Sequence, residues 1–155
     1  MSTTPEWAIV PLTENHGIEI CGWIYPAPFD LYKQAEFTDP AIRESQYAGV
    51  VDSSESLCGF VQFFPLVGVT RLGLGLRPDL VGQGNGPHLL RLAVKEAKKR
   101  APGNEIDLEV LVWNERAIKA YTKAGFTITD TYVKGTASGP AEFHCMVYQE
   151  EGENV

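Results

Sequence analysis

The sequence predicts a single α/β domain in which helices flank a mixed central sheet. Apolar stretches with strand-like patterns are interspersed with stretches of helical periodicity, which is typical of α/β folds. The chain has 155 residues, of which 44% are hydrophobic and 21% are charged, as in an ordinary globular domain with a sizeable core. It contains no internal repeat, linker or low-complexity tract. We therefore expect one domain over residues 1–155.

The N-terminal part of the chain predicts a strand, short helices and a hairpin. Thr13 is a preferred helix-capping residue, and Ile20, Trp23 and Ile24 would share one face of the helix that follows. The prolines within 25–28 should end that helix. The predicted elements are a strand at 7–12, a helix from 13 to 24, helical pieces at 29–37 and 40–44, and a hairpin of strands 47–51 and 58–64 around the polar residues 52–56.

A glycine-rich turn after the next predicted strand has the features of a phosphate site. Pro78 should end the strand at 69–76, because proline has no amide hydrogen to donate to a sheet. Gly82, Gly84 and Gly86 then alternate, which allows positive φ and a close approach of the backbone to a ligand. The helix that follows would present free N–H groups and its positive dipole end to an anion. Its predicted inner face consists of Leu89, Leu90, Ala93, Val94 and Ala97.

Two common nucleotide motifs do not fit this turn. A Walker motif requires a lysine directly after the glycines, and none follows them here. The dinucleotide fingerprint, counted from Gly82, requires a glycine where Pro87 stands. A glycine-rich connector that binds no ligand is the other interpretation of this segment taken alone.

A second pattern lies in residues 114–126. It consists of Asn114, Ala117, Tyr121, Gly125 and Phe126. Asn114 can cap a helix that begins there. A predicted strand at 106–112 precedes this helix and contains Glu109 between Leu108 and Val110. Two closing strands, at 126–133 and 142–148 with a link at 135–140, complete the predicted sheet.

Together, the two segments resemble the GCN5-related N-acetyltransferase family. The acetyl-CoA loop of that family reads Arg/Gln-x-x-Gly-x-Gly/Ala, which Gly84 and Gly86 match, whereas Val81 stands where Arg or Gln is usual. The family's next motif has asparagine, alanine, tyrosine and Gly-Phe at the spacing described above, and many members carry Leu-Glu-Val in the preceding strand. The resemblance covers about 69–126. The departure at Val81 predicts one fewer side-chain contact to the pyrophosphate, and therefore weaker cofactor binding.

The resemblance implies a mostly antiparallel sheet, acetyl-CoA as co-substrate and direct transfer of its acetyl group to an amine. It implies an acceptor-side region at about 1–66, a cofactor-binding half at about 69–126 and closing strands at about 126–149. The cofactor-binding residues that it implies are Leu74, Gly75, Leu76, Gly82, Gln83, Gly84, Asn85, Gly86, Asn114 and Tyr121. The amine belongs to an unidentified small molecule or peptide. A non-catalytic acyl-CoA sensor or regulatory module is the alternative function.

Glu109 and Tyr121 are the candidate catalytic residues. An amine must lose a proton to attack the acetyl group, and the departing CoA thiolate must gain one. Glu109 points away from Leu108 and Val110, and burial in this apolar strand would raise its pKa towards the working pH. The resemblance implies that Glu109 is the base and that Tyr121 is the acid beside the thioester sulfur. A structural hydrogen bond for Glu109 and a packing role for Tyr121 are the alternative interpretations.

Composition excludes several other classes of protein. The net charge of −7 disfavours a nucleic-acid partner, because such binding depends on Lys and Arg neutralising phosphates. We expect no membrane partner, because no stretch is apolar enough to cross a bilayer, and residues 1–10 lack the features of a signal peptide. Cys21, Cys58 and Cys145 are odd in number and widely spaced, which predicts reduced thiols in a cytoplasm and no metal site. Monomer and homodimer both stay open.

Overall fold

The strands of the described part of the chain form a single mixed sheet. They are β1 Ala8–Pro11, β2 Tyr47–Val51, β3 Leu57–Leu66, β4 Val69–Leu76, β5 Glu105–Leu111, β6 Phe126–Thr136 and β7 Gly139–Tyr148. Their order is β1-β2-β3-β4-β5-β7-β6, and every neighbouring pair is antiparallel except β4 and β5. The computed structural model describes residues 6–24, 39–136 and 138–149. The predicted fold class, a mixed and mostly antiparallel sheet flanked by helices, is confirmed.

Four α-helices are formed within these described ranges. They are α1 Glu14–Cys21, α2 Pro40–Gln46, α3 Gly86–Arg100 and α4 Glu115–Lys123, and a short 3-10 turn at Pro78–Leu80 follows β4. Thr13 caps α1 as predicted, because its hydroxyl accepts a hydrogen bond from the His16 amide at 3.0 Å. None of the four has the length and apolar composition that a bilayer-spanning helix requires.

The sheet has a hydrophobic cluster on each face. The larger cluster contains the buried face of α3, which consists of the five predicted residues, and partly buried residues of α4 pack against it. The smaller cluster joins Ile20 of α1 to Tyr47 and Phe60 of the sheet, and Ile42 of α2 packs against it. Helices α3 and α4 therefore cover one face, whereas α1 and α2 cover part of the other.

Two local predictions are wrong at their ends. Helix α1 stops at Cys21, with Gly22 as its C-cap, so Trp23 and Ile24 do not extend its apolar face, and Ile24 is 82% exposed. The link predicted at 135–140 is mostly strand, because β6 and β7 stay paired out to Thr136 and Gly139. The helix break predicted at 25–28 and the helical piece at 29–37 lie outside the described residues.

Strands β4 and β5 separate at one end, and this separation is what positions the site. Their pairing runs from Val69 and Glu105 to Leu72 and Leu108. Beyond that point β4 continues through 73–76 and β5 through 109–111 without pairing to each other, while β5 stays paired to β7. We call the space between these unpaired ends the β4–β5 gap.

Candidate active site

A largely apolar cavity of about 650 Å³ lies against the end of β4 that borders the β4–β5 gap. Its walls are the end of β4, the glycine turn, the first turns of α3 and the inner side of α4. Ile20 and Phe60 on its wall belong to the smaller cluster, whereas Leu89 belongs to the larger one. The cavity is therefore lined by residues from both hydrophobic clusters, one on each face of the sheet.

Eight of the ten residues implied as cofactor contacts lie on this wall. They are Leu74, Gly75, Leu76, Gly82, Gly84, Gly86, Asn114 and Tyr121. Gln83 and Asn85 do not line the cavity. The side-chain amide of Gln83 donates to the carbonyl oxygen of Asp79, and that of Asn85 donates to the carbonyl oxygen of Leu80 at 3.0 Å. These two side chains hold the turn in shape.

The glycine turn has the backbone conformation that its sequence predicts at two of its three glycines. Gly82 and Gly84 have φ of +78° and +82°, values that residues with a Cβ rarely adopt. A Cβ at Gly84 would meet no heavy atom within 4 Å. Gly86 is instead the first residue of α3, where a Cβ would lie 3.3 Å from that of Ala120. The turn thus leaves room for a ligand at Gly84 and brings α3 and α4 close together at Gly86.

Helix α4 and its cap contribute the two predicted residues Asn114 and Tyr121. They also contribute three cations that the sequence analysis did not predict. The Asn114 side chain accepts a hydrogen bond from the Ala117 amide at 3.3 Å and so caps the helix, as predicted. Tyr121 is half-buried on the wall of the cavity. The missed residues are cations, namely Arg116, Lys119 and Lys123. Their spacing of three and four residues places them on one side of a helix, and that spacing could have revealed them.

Glu109 lies at the centre of a partly buried ionic cluster. Its carboxylate accepts hydrogen bonds from the Lys134 ammonium and from the Tyr132 hydroxyl, both at 2.6 Å, and lies 3.4 Å from the Arg71 guanidinium. Arg71 also donates two hydrogen bonds to the buried Asp107, at 3.0 and 2.9 Å. We call these five residues the Glu109 cluster.

The expectation that the pKa of Glu109 is raised is wrong. Burial does raise the pKa of this carboxyl group, but the hydrogen bonds from Lys134 and Tyr132 and the charges of Arg71 and Lys134 outweigh burial and lower it. Burial and the neighbouring Glu109 carboxylate raise the pKa of the Tyr132 hydroxyl. Glu109 is therefore an ionised carboxylate at neutral pH, with Tyr132 as its protonated hydrogen-bond donor.

The two candidate catalytic residues occupy different parts of the site. Tyr121 lines the cavity, and Glu109 does not. Glu109 is the first residue of β5 beyond the last pairing with β4, so it stands at the base of the β4–β5 gap. Sequence reasoning missed Arg71, Tyr132 and Lys134, and no local signal could have found the last two, because β6 reaches Glu109 only through its pairing with β7.

The ion pair between Arg71 and Asp107 should contribute measurably to stability. Substituting Asp107→Asn would remove the carboxylate that accepts two hydrogen bonds from the Arg71 guanidinium and would leave Glu109, at 3.4 Å, as its charged partner. We expect the free energy of unfolding to fall by about 2 kcal/mol, within the range for hydrogen bonds to charged groups, because Arg71 keeps Glu109 and some exposure to water. Urea denaturation measures this loss.

Asp79→Asn is the matched control for that substitution. Asp79 pairs with Arg77 at 2.6 Å but is mostly exposed, so its loss should change the denaturation midpoint little. Equal midpoint shifts for the two variants would contradict the assignment of a stabilising role to the buried pair.

Comparisons with known proteins agree with this geometry. The model of the acetyltransferase (GNAT) family matches residues 16–126. Among curated proteins, no sequence matches this chain. The spermidine N-acetyltransferase from Vibrio cholerae, solved in complex with CoA and spermine, superposes with a TM-score of 0.74 at 16% identity, over 92% of this chain and 94% of that one. The ribosomal-protein-S18-alanine N-acetyltransferase from Escherichia coli superposes with a TM-score of 0.69 at 21% identity, over 96% and 98% of the two chains.

At these identities the two superpositions establish the fold, while the family match covers most of the chain and includes both sequence patterns. The glycine turn, the cavity at the end of β4 and the capped helix α4 all lie within the matched residues. We conclude that this chain belongs to the acetyltransferase (GNAT) family and is an acyl-CoA-dependent N-acyltransferase.

Proposed function

We propose that this enzyme transfers the acetyl group of acetyl-CoA directly to a primary amine of a small molecule or a peptide. The observation that carries the proposal is the cavity at the end of β4, which has the glycine turn at its wall and Tyr121 further along it. A cofactor whose phosphates rest on the turn would direct its thioester into the gap. The acceptor would then approach from the opposite face of the sheet.

The phosphates would be held by backbone amides of the turn and by cations of α4. The Arg116 guanidinium lies close to the turn, since its Nη1 atom is 3.5 Å from the position of a Cβ at Gly82. Arg116 would therefore supply the positive charge that Val81 does not. Lys119 and Lys123 lie further along the same wall and would add to the attraction. This local positive charge contrasts with the net charge of −7 of the whole chain.

The proton transfers would involve Tyr121 and Glu109. We assign Tyr121 as the acid that protonates the departing CoA thiolate, because it is the tyrosine on the cavity wall. We assign Glu109 as the base that accepts the amine's proton, directly or through a water. Since the pKa of Glu109 is lowered, it is ionised at neutral pH and free of a proton, but it is a weak base and would pass the accepted proton on to solvent.

A thiol-release screen would identify the acceptor. The structural neighbours are named for acting on spermidine and on the alanine of a ribosomal protein, and both acceptors carry primary amines. The screen therefore includes spermidine, spermine, free amino acids and a peptide with an N-terminal alanine. We also propose that the enzyme works in the cytoplasm, where its three free cysteines would stay reduced.

Cofactor binding can be tested without knowing the acceptor. We expect acetyl-CoA to raise the melting temperature of the protein, because a ligand that binds only the folded state stabilises it. Gly84→Val should abolish this shift, because a β-branched residue resists the φ of +82° and fills the open space above the turn.

Gly68→Val is the matched control for Gly84→Val. Gly68 has a φ of +73° and equally open surroundings, but it lies at the β3–β4 turn, outside the cavity. This variant should lose a similar amount of intrinsic stability and keep the full acetyl-CoA shift. A folded Gly84→Val protein that still shifts like the wild type would refute the phosphate-binding role of the turn.

A further inference from the structure

The ammonium of Lys134 lies in a site that has the composition of an ammonium receptor. One oxygen of the Glu109 carboxylate accepts its hydrogen bond at 2.6 Å. The ring of Phe143 lies on β7, between β5 and β6, with its centroid 5.4 Å from the Lys134 Nζ atom. Carboxylates and aromatic faces both attract organic cations in proteins.

This receptor is held in place by residues other than Lys134. The second oxygen of Glu109 accepts a hydrogen bond from the Tyr132 hydroxyl at 2.6 Å and faces Arg71, which is anchored in turn on Asp107. The side chain of Glu109 is only 14% exposed, whereas that of Lys134 is 46% exposed. Lys134 is therefore the exposed partner of the pair, and its departure would leave the carboxylate in position.

The receptor and part of the cavity wall share one face of β4. Arg71 and Gly75 are four residues apart on β4, so they share a face of the sheet, and Arg71 belongs to the Glu109 cluster. Gly75 lines the cavity. Glu109 follows Leu108, the last β5 residue that pairs with β4, and Gly75 lies three residues beyond the partner Leu72, about 10 Å along the strand. Gly75 carries no side chain of its own, and the Phe60 ring, which also lines the cavity, lies over it.

We propose that the site formed by Glu109, Tyr132 and Phe143 binds the ammonium group of the acceptor, and that Lys134 occupies this site until the acceptor displaces it. The acceptors are accordingly primary alkylammonium ions that resemble a lysine side chain. This inference rests on the proposed function. In the reaction, the acceptor ammonium loses one proton to Glu109, and the resulting amine forms a bond to the acetyl carbon. The carbon–sulfur bond breaks, the CoA thiolate takes a proton from Tyr121, and the second proton of the acceptor nitrogen restores the Tyr121 hydroxyl.

The binding test uses n-propylammonium, which replaces the atoms that Lys134→Ala removes. We expect calorimetry to show that the Lys134→Ala protein binds n-propylammonium at least tenfold more tightly than the wild type does. Lys134→Arg keeps a cation beside Glu109 and should bind the probe no better than the wild type. Neutral n-propanol should not bind, and Lys134→Ala with Glu109→Gln should lose the affinity for n-propylammonium. Equal affinities in Lys134→Ala and the wild type would overturn the proposal.

The activity test measures thiol release from acetyl-CoA with n-propylammonium as acceptor. We expect Lys134→Ala to raise kcat/KM about tenfold above the wild type, whereas Lys95→Ala, which removes an exposed lysine of α3 outside the cavity, should change nothing. A decrease in Lys134→Ala would overturn the proposal, because it would make Lys134 a group that the reaction needs. The acetyl-CoA melting shift is measured in each protein. Its absence from the wild type would refute the proposed function, while the calorimetric result would still decide the ammonium site.

Discussion

Tyr121→Phe should lower turnover about a hundredfold while leaving the affinity for acetyl-CoA almost unchanged. The substitution keeps the aromatic ring on the wall of the cavity and removes only the hydroxyl. A hundredfold loss is the low end for general acid–base catalysis, and it is appropriate here because a thiolate can also leave unaided. Steady-state thiol release, together with titration of acetyl-CoA, measures both quantities.

Tyr148→Phe is the control for the loss of a hydroxyl. Tyr148 packs against Phe126, with ring centroids 5.4 Å apart, and does not line the cavity. It should therefore retain wild-type turnover. If Tyr121→Phe were as active as Tyr148→Phe, Tyr121 would be a packing residue and the thiolate would leave without an acid.

Glu109→Gln should lower kcat/KM roughly a hundredfold near neutral pH, again the low end for a general base. The glutamine keeps the shape of the side chain but cannot take the proton of the acceptor. Without a base, the rate follows the small neutral fraction of the amine, which rises tenfold per pH unit up to a pKa of about 10 for a lysine-like acceptor. The ratio of wild type to variant should therefore shrink as the pH approaches that pKa. This ratio is measured by determining kcat/KM of both proteins over a series of pH values, with an amine acceptor identified in the thiol-release screen.

A constant ratio across the pH range, in a folded variant, would assign the base role elsewhere. Such a result would mean that Glu109 only positions the acceptor, since removing a positioning group lowers kcat/KM by the same factor at every pH. Because the pKa of Glu109 is lowered, its protonation should not reduce the wild-type rate until the pH falls below its ordinary value of 4.5.

The same pKa shift fixes the sign of an effect on stability. A carboxyl group whose pKa is lower in the folded chain stabilises the fold above its unfolded pKa, and this contribution disappears as the pH falls through the folded value. Wild type should therefore be more stable than Glu109→Gln at pH 7, and the difference should shrink below pH 4.5. Urea denaturation at both pH values provides this check on the folding of the variant.

Local sequence determined the parts of the site that depend on neighbours along the chain. The φ values of Gly82 and Gly84, the capping of α4 by Asn114 and the five buried residues of α3 all follow from residue type and spacing within a few positions. These features sufficed to place the cofactor half, because a strand, a glycine turn and a helix that follow one another form a local unit.

Tertiary structure alone decided the state of Glu109. The residues next to Glu109 in sequence are apolar, and they predicted a raised pKa. In the sheet, β7 lies between β5 and β6, and the Tyr132 and Lys134 side chains of β6 reach across β7 to the Glu109 carboxylate. The width of the β4–β5 gap likewise depends on where the pairing of two strands stops. Strand order and register are set by packing of the whole sheet, and charges that are distant in sequence can lower a pKa by more than local burial raises it.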